Sequence, residues 1–346
     1  MFAQVVGTKA CCSERDWSLC VGVIINKLRG ETKYFTPGPR IIEQMVGKPV
    51  FVVPFLEDLN LPEEDGLGLE RRLRWEKTPG LAYPHRNEYS AEKETERKPI
   101  VVVVAYPHTA IADDLIPLED DPRFQVEWRR KLLPKPYPHT TAVVLPGSKL
   151  TIADLKWLND SGWLNFIRKH VAAGGSVLGL CGGYQMLGWE VNDPHAVEGH
   201  ESARQGIGLL PVKTTIGPVT CKVVKPRTGQ LYPSGIEIEG FELHCGVSEV
   251  MSIQVSLLGK NSEMSPLLAF SNGKPEGMQL GRVRGTYVHG ILRSEKARVE
   301  LLVPNKKDFP ILKKLKHKVT DPLDKFANHL SSCGLDIKTL SSLAHL

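Results

Sequence analysis

One short run limits what this chain can fold into more than any other: Gly174-Gly-Ser-Val-Leu-Gly-Leu-Cys-Gly-Gly-Tyr-Gln-Met-Leu-Gly188. Val177, Leu178 and Leu180 have the composition of a short buried strand, and Tyr184 to Leu187 has that of a helix start. Cys181 therefore falls at a sharp strand-to-helix turn, with glycines at 179, 182 and 183 that let backbone crowd the sulfur. A thiol there feels the positive end of the helix macrodipole and forward-pointing N–H groups. These favour the thiolate and offer donors to a developing oxyanion. A structural cysteine beside a glycine-rich turn is the plainer interpretation, and the glycine spacing argues against it.

The remaining apolar runs set the architecture. Pro99 to Ala105, Thr141 to Leu145 and Ser176 to Leu180 are strands separated by helical stretches, which predicts a doubly wound α/β sheet with ligands beyond the carboxyl ends of its strands. Upstream, Val21 to Ile25, a helix within Gly38 to Gly47, and Pro49 to Pro54 form a βαβ fragment. Ala91 to Lys98 is a charged linker, so the expected domains are 1–97 and 98–346. Beyond about residue 205 the pattern changes to short strands and turns, expected as antiparallel additions to the same sheet. Asp321 to Leu346 is expected to close the second domain as terminal helices.

In 346 residues, 41% hydrophobic content and 24% charge are ordinary for a globular protein, and two domains are expected. The longest apolar run, Ile100 to Tyr106, is strand-sized, so no membrane span is expected. The net charge of +5 is spread among interleaved acids and bases, which gives no nucleic-acid footprint. Cys11, Cys12, Cys20, Cys181, Cys221, Cys245 and Cys333 are odd in number, scattered, and without zinc-ligand spacing. No metal is expected, and a reducing, cytoplasmic setting is.

A thiolate nucleophile needs a base. His289 ends an apolar strand against glycines in Gly285-Thr-Tyr-Val-His-Gly290, and His244 in Gly240-Phe-Glu-Leu-His-Cys-Gly246 is the competitor. A lone histidine at a strand end is more often a hydrogen-bonded structural residue, so spacing alone leaves both open.

The pattern Gly179-x-Cys181-x-Gly183-x-Gln185 resembles the nucleophile elbow of triad-type (class I) glutamine amidotransferases. Leu145-Pro-Gly-Ser-Lys-Leu-Thr-Ile-Ala-Asp-Leu155, Leu180 to Gly188, and the two histidine motifs, taken together in order, resemble the cobyric acid synthase family. The likeness extends to Ile24 to Gly30, Pro37 to Pro39, Pro62 to Leu67 and the tail. It implies a flavodoxin-like doubly wound mixed sheet preceded by a partial α/β synthetase domain. It also implies glutamine hydrolysis through a Cys181 thioester with His289 as base. Gly147, Ser148 and Gly182 would form the oxyanion hole, Gln185 would hold the substrate glutamine, and His244 would be an additional site residue. The acceptor implied is a corrinoid, a cobyrinic acid diamide, whose side-chain carboxylates are amidated on the route to cobalamin.

Three departures accompany the resemblance. Ile291 stands where most triad amidotransferases carry a glutamate, so backbone or water is expected to orient the imidazole. Leu150 stands where the family usually has asparagine. No Gly-x-x-x-x-Gly-Lys-[Ser/Thr] loop is present, and Gly7-Thr-Lys9 is too short to replace one. ATP and Mg are expected for the full family reaction but not as groups bound by this chain, which leaves three readings open: a truncated gene product, a split enzyme with a separate ATP-binding synthetase partner, or a descendant that keeps glutaminase chemistry for another acceptor. A catalytically silent binding or regulatory homologue is the alternative, and a cysteine peptidase on the same fold a weaker one. Lys149 and Asp154 carry ordinary expectations of solvation and helix capping, with contact to an acidic corrinoid or to the synthetase domain as the alternative. Asn26, Lys27 and Arg29 follow a strand and face a ligand crevice if that strand belongs to a nucleotide-binding sheet.

Overall fold

The computed structural model describes residues 1–56, 69–70, 72–73, 98–132, 140–199, 202–251, 264–309 and 322–344. The chain divides into two compact units, Met1–Leu61 with His317–Leu346, and Pro62–Lys316. The linker at 91–97 and the Pro62 to Leu67 motif lie outside the described residues.

In the first unit, strands Val23–Leu28 and Val50–Pro54 pair in parallel, with Ile25 opposite Val52. The helix Gly38–Val46 joins them and ends on Gly47, whose φ of 70° suits the left-handed cap that only glycine adopts without strain. Ile42 and Val46, one turn apart, pack on Ile25 with Val50 and Val52 beside them, so the helix covers one sheet face. Phe51 points to the other face, where Gly334 lies 3.8 Å away, measured from the position a Cβ would take. His329 Nε2 lies 3.0 Å from Pro54 O. The terminal helices, Pro322–Ser332 and Ile337–Leu343, therefore group with the first unit, in contrast to the expectation that they close the second. A parallel pair needs cover on both faces, and the tail supplies the second layer.

The second unit is built on a seven-stranded mixed sheet. Its five parallel strands run in the order Val283–Thr286, Ser176–Leu180, Thr140–Leu145, Ile100–Val104, Gln125–Arg129. Met278–Leu280 and Met264–Ser265 add antiparallel strands at the Val283 edge. Alternation along one strand separates the two cores. Val101 and Val103 face Leu115, Leu118, Leu301 and Leu302, while Val102 and Val104 face Ile152, Leu155, Leu158 and Ile167. Burial on both faces explains why these strands read as unbroken apolar runs.

Most of the later strands form separate sheets and do not extend this one. Val223–Leu231 and Glu237–His244 make a long antiparallel hairpin within a five-stranded sheet, which also contains Val288–His289. Leu231 and Ile238 are in the core, whereas Lys225, Glu237 and Glu239 are exposed. A hairpin with one wet face cannot enter a sheet covered on both sides, so it stands beside it. Three loops thereby meet at the carboxyl ends of neighbouring strands: Pro146 to Leu150, Cys181 to Gly183, and Tyr287 to Gly290.

Candidate active site

Cys181 adopts φ 50° and ψ −109°, a conformation that costs a non-glycine residue of order 1–3 kcal/mol and persists only where the surroundings impose it. They do so here through hydrogen bonds on both sides. Cys181 N donates to Thr286 O at 2.8 Å, and Gln185 N donates to Cys181 O at 3.1 Å. The flanking glycines are steric requirements. A Cβ on Gly179 would lie 2.6 Å from Gly183 O, one on Gly183 would overlap Leu145 O, and one on Gly182 would lie 2.8 Å from Ser148 N. The sulfur is thus presented at a turn where three backbone segments touch, with Leu243 O at 3.5 Å.

His289 is completely buried, and its ring stacks on Phe241 with centroids 5.3 Å apart. Its Nδ1 lies 2.6 Å from Asp114 Oδ2, while Gly290 N donates to Asp114 Oδ1 at 2.8 Å, so one carboxylate holds both ring and backbone. Nδ1 is then the protonated nitrogen facing Asp114, and Nε2 is the one left for chemistry. Nε2 is buried without a protein hydrogen bond of normal geometry. Burial acts to lower the imidazole pKa, but hydrogen bonds and charge from Asp114 and Cys181 outweigh it and raise it to about 10. The raised pKa keeps the imidazole protonated beside the Cys181 sulfur.

Asp114 corrects the expectation that backbone or water orients the ring. Ile291, two residues after the histidine, is a core residue, 1% exposed. The acid comes from the short 3-10 helix Ala112–Leu115, which lies downstream of the strand Ile100–Val104, and Asp114 itself is buried. Sequence spacing carries no trace of this pair. The one available signal was an aspartate shortly after a central strand, on the edge where ligands bind.

The Gly147–Ser148 segment pairs antiparallel with Thr109–Ala110. Lys149 N donates to His108 O at 3.0 Å, so Ser148 falls at the alternating position whose N–H points out of the ladder. The structure thus brings together Cys181, His289, Gly182 and Ser148. Gln185 is adjacent but inward: Thr151 Oγ1 donates to its Oε1 at 3.1 Å, its Nε2 donates to Tyr287 Oη at 3.4 Å, and it is only 4% exposed. Both ends of its carboxamide are engaged within the protein.

His244 stacks on Tyr287 with centroids 3.9 Å apart, and its Nδ1 lies 2.7 Å from Gly246 O. Burial lowers its pKa, with neighbouring His289 acting the same way and Glu242, whose Oε1 lies 3.8 Å from its Nε2, acting against them. It flanks the site, and its acid is more distant than the one His289 meets at 2.6 Å. Glu198 was not anticipated. Its Oε2 accepts from Thr151 N at 2.5 Å at the start of the helix Thr151–Asp160, the task a capping residue at 150 would perform and Leu150 cannot. Burial pushes its carboxyl up to about 7.

Among the described residues no three His, Cys, Asp or Glu side chains are grouped to hold a metal. Arg29, after the first strand, packs its guanidinium over Phe55 at 4.9 Å.

Residues 100–297 match the CobB/CobQ-like glutamine amidotransferase domain family. A cobyric acid synthase of Methylobacterium nodulans is 36% identical over 86% of this chain and 56% of its own length. One of Chlorobaculum tepidum is 32% identical over 100% of this chain and 65% of its own. The chain therefore spans between about half and two thirds of these relatives. Among solved structures, a glutamine amidotransferase aligns with a TM-score of 0.41 at 17% identity, covering 58% of this chain and 98% of that one.

Proposed function

The chain belongs to the CobB/CobQ-like glutamine amidotransferase family, and from that premise we propose that it hydrolyses glutamine at Cys181 and delivers the ammonia for amidation of a carboxylate. The observation that carries this reading is the buried Asp114–His289 pair set against a cysteine held in a strained elbow. The Cys181 thiolate attacks the carboxamide carbon of glutamine. The oxygen takes up negative charge toward the N–H groups of Gly182 and Ser148, where each such donor contributes about 3 kcal/mol. The C–N bond breaks as His289 Nε2–H protonates the departing nitrogen, giving ammonia and a γ-glutamyl thioester. The neutral imidazole then takes a proton from water, whose oxygen attacks the thioester, releasing glutamate and the thiolate. Asp114 holds the ring in the required tautomer throughout.

The names of the relatives support a corrinoid acceptor, with ammonia consumed at a carboxylate that ATP and Mg activate elsewhere. A second polypeptide segment would supply the phosphate-binding loop. In this reading residues 98–316 carry the glutaminase and 1–56 with the tail belong to the synthetase side. Seven unpaired cysteines favour a reducing, cytoplasmic setting. No described helix is long and apolar enough to cross a membrane. Gln185 contributes by holding the elbow helix against Tyr287 and Thr151.

The test is acid-quench mass spectrometry of the purified chain incubated with glutamine, alone and with a synthetase-domain partner. A γ-glutamyl adduct on the peptide containing Cys181, absent in Cys181→Ser, is expected. Glutamine turnover that persists in Cys181→Ser would overturn the assignment.

A further inference from the structure

Asp154 is fully buried, yet it lies four residues into the helix Thr151–Asp160, where its own backbone N–H already bonds to Leu150 O at 3.0 Å. The helix does not need this carboxylate as a cap. A buried carboxylate is costly unless hydrogen bonds compensate it, and every one that Asp154 accepts comes from outside its own helix. Ser148 Oγ donates to its Oδ2 at 2.6 Å. His108 Nδ1 and His108 N lie 2.9 and 3.2 Å from its Oδ1. Ser148 Oγ in turn accepts from Leu150 N at 3.1 Å, and Tyr106 Oη donates to Pro146 O. The Pro146 to Leu150 loop is thus fastened at its start, middle and end. Burial raises the Asp154 pKa, and the bonds from Ser148 and His108 act against that rise. The ordinary expectation of solvation or capping is not met.

The loop fastened in this way contains the Ser148 N–H beside Gly182. We propose that Asp154, braced by His108, is a positioning residue: by gripping the Ser148 hydroxyl it keeps the Ser148 N–H on the Cys181 side, where the oxyanion forms. This rests on the amidotransferase reading. It extends it from the residues that touch the reacting carbon to one that acts only through Ser148. A geometric error of about 1 Å in a donor is enough to lose much of its contribution.

Two probes of the same sulfur separate positioning from general support. Acylation by L-glutamic acid γ-p-nitroanilide passes through an oxyanion and releases p-nitroaniline. Alkylation by iodoacetamide displaces iodide at carbon and forms no oxyanion. Loss of a well-placed donor is worth roughly 10²–10³-fold in the acylation step. In the full chain, Asp154→Ala is expected to slow Cys181-dependent p-nitroaniline release by about 10²-fold, and Asp154→Asn, which keeps one acceptor, by less. His108→Ala, at a half-exposed side chain that the fold tolerates, is expected to slow it by about tenfold. Alkylation of Cys181 should stay within about twofold of wild type in all three. Unchanged acylation in the Asp154 variants would overturn the proposal. So would acylation and alkylation falling together, since that is what a merely structural residue produces. If the wild type shows no Cys181-dependent release, the amidotransferase reading itself fails and takes this proposal with it.

Discussion

Parallel strands occur in both compact units, five around Ser176–Leu180 and two in the pair Val23–Leu28 and Val50–Pro54, and the two sheets are supported very differently. Val101 to Ala105 are all inaccessible, with helices on both faces. In the smaller sheet Ile24 is 53% exposed, and among the described residues its core cluster buries Ile25, Ile42 and Val46. The strained cysteine sits on the first. Backbone strain of a few kcal/mol survives only on a scaffold that over-determines it. The two-stranded unit places a left-handed residue, Lys27 at φ 57°, at the irregularity of its ladder between Asn26 and Leu28, where the pairing is already interrupted.

That contrast can be broken from the elbow side first, where the effect is largest. Gly183→Ala places a methyl against Leu145 O, which is backbone and cannot turn aside. The expected cost is about 3 kcal/mol or more, seen as a lower melting midpoint for the second unit together with loss of glutaminase activity. An unchanged midpoint would mean that the elbow is looser than its geometry states. The smaller sheet gives the complementary case. Ile42→Ala removes the fully buried contact between its helix and its strands, and is expected to destabilise the first unit by about 2–3 kcal/mol. Hydrogen exchange should show that loss in residues 23–54 while glutamine hydrolysis stays near wild type. Equal exchange in both units would show that the two are not independently stable.

Much of the larger unit was legible in the sequence because its signals are local. Unbroken apolar runs mark strands buried on both faces, and the glycines of the elbow are demanded by contacts a few residues away. Cys181 was legible for the same reason, since it follows such a strand; His289 ends the short strand Val288–His289, and spacing alone leaves it open against His244. Asp114 was not legible. The hydrogen bond to His289 spans 175 residues in sequence, and the nearby position 291 holds an isoleucine that the core uses. Asp154 was hidden in another way, as a helix-start aspartate usually caps or solvates, and only its burial beneath Ser148 shows otherwise. The tail helices have ordinary amphipathic spacing, which says that they pack but not on which sheet.

The account depends most on Asp114 completing the couple of Cys181 and His289, and ammonia release from glutamine as a function of pH tests it directly. The imidazole pKa is raised, so its proton is held through neutral pH and lost as the pH climbs through about 10. Wild type should therefore lose activity on that alkaline limb. Asp114→Asn removes the charge and disturbs the tautomer, so kcat should fall by about 10³-fold with little change in KM, and the alkaline limb should move toward neutrality. An Asp114→Asn protein that turned over glutamine within about twofold of wild type, with the same alkaline limb, would contradict the account.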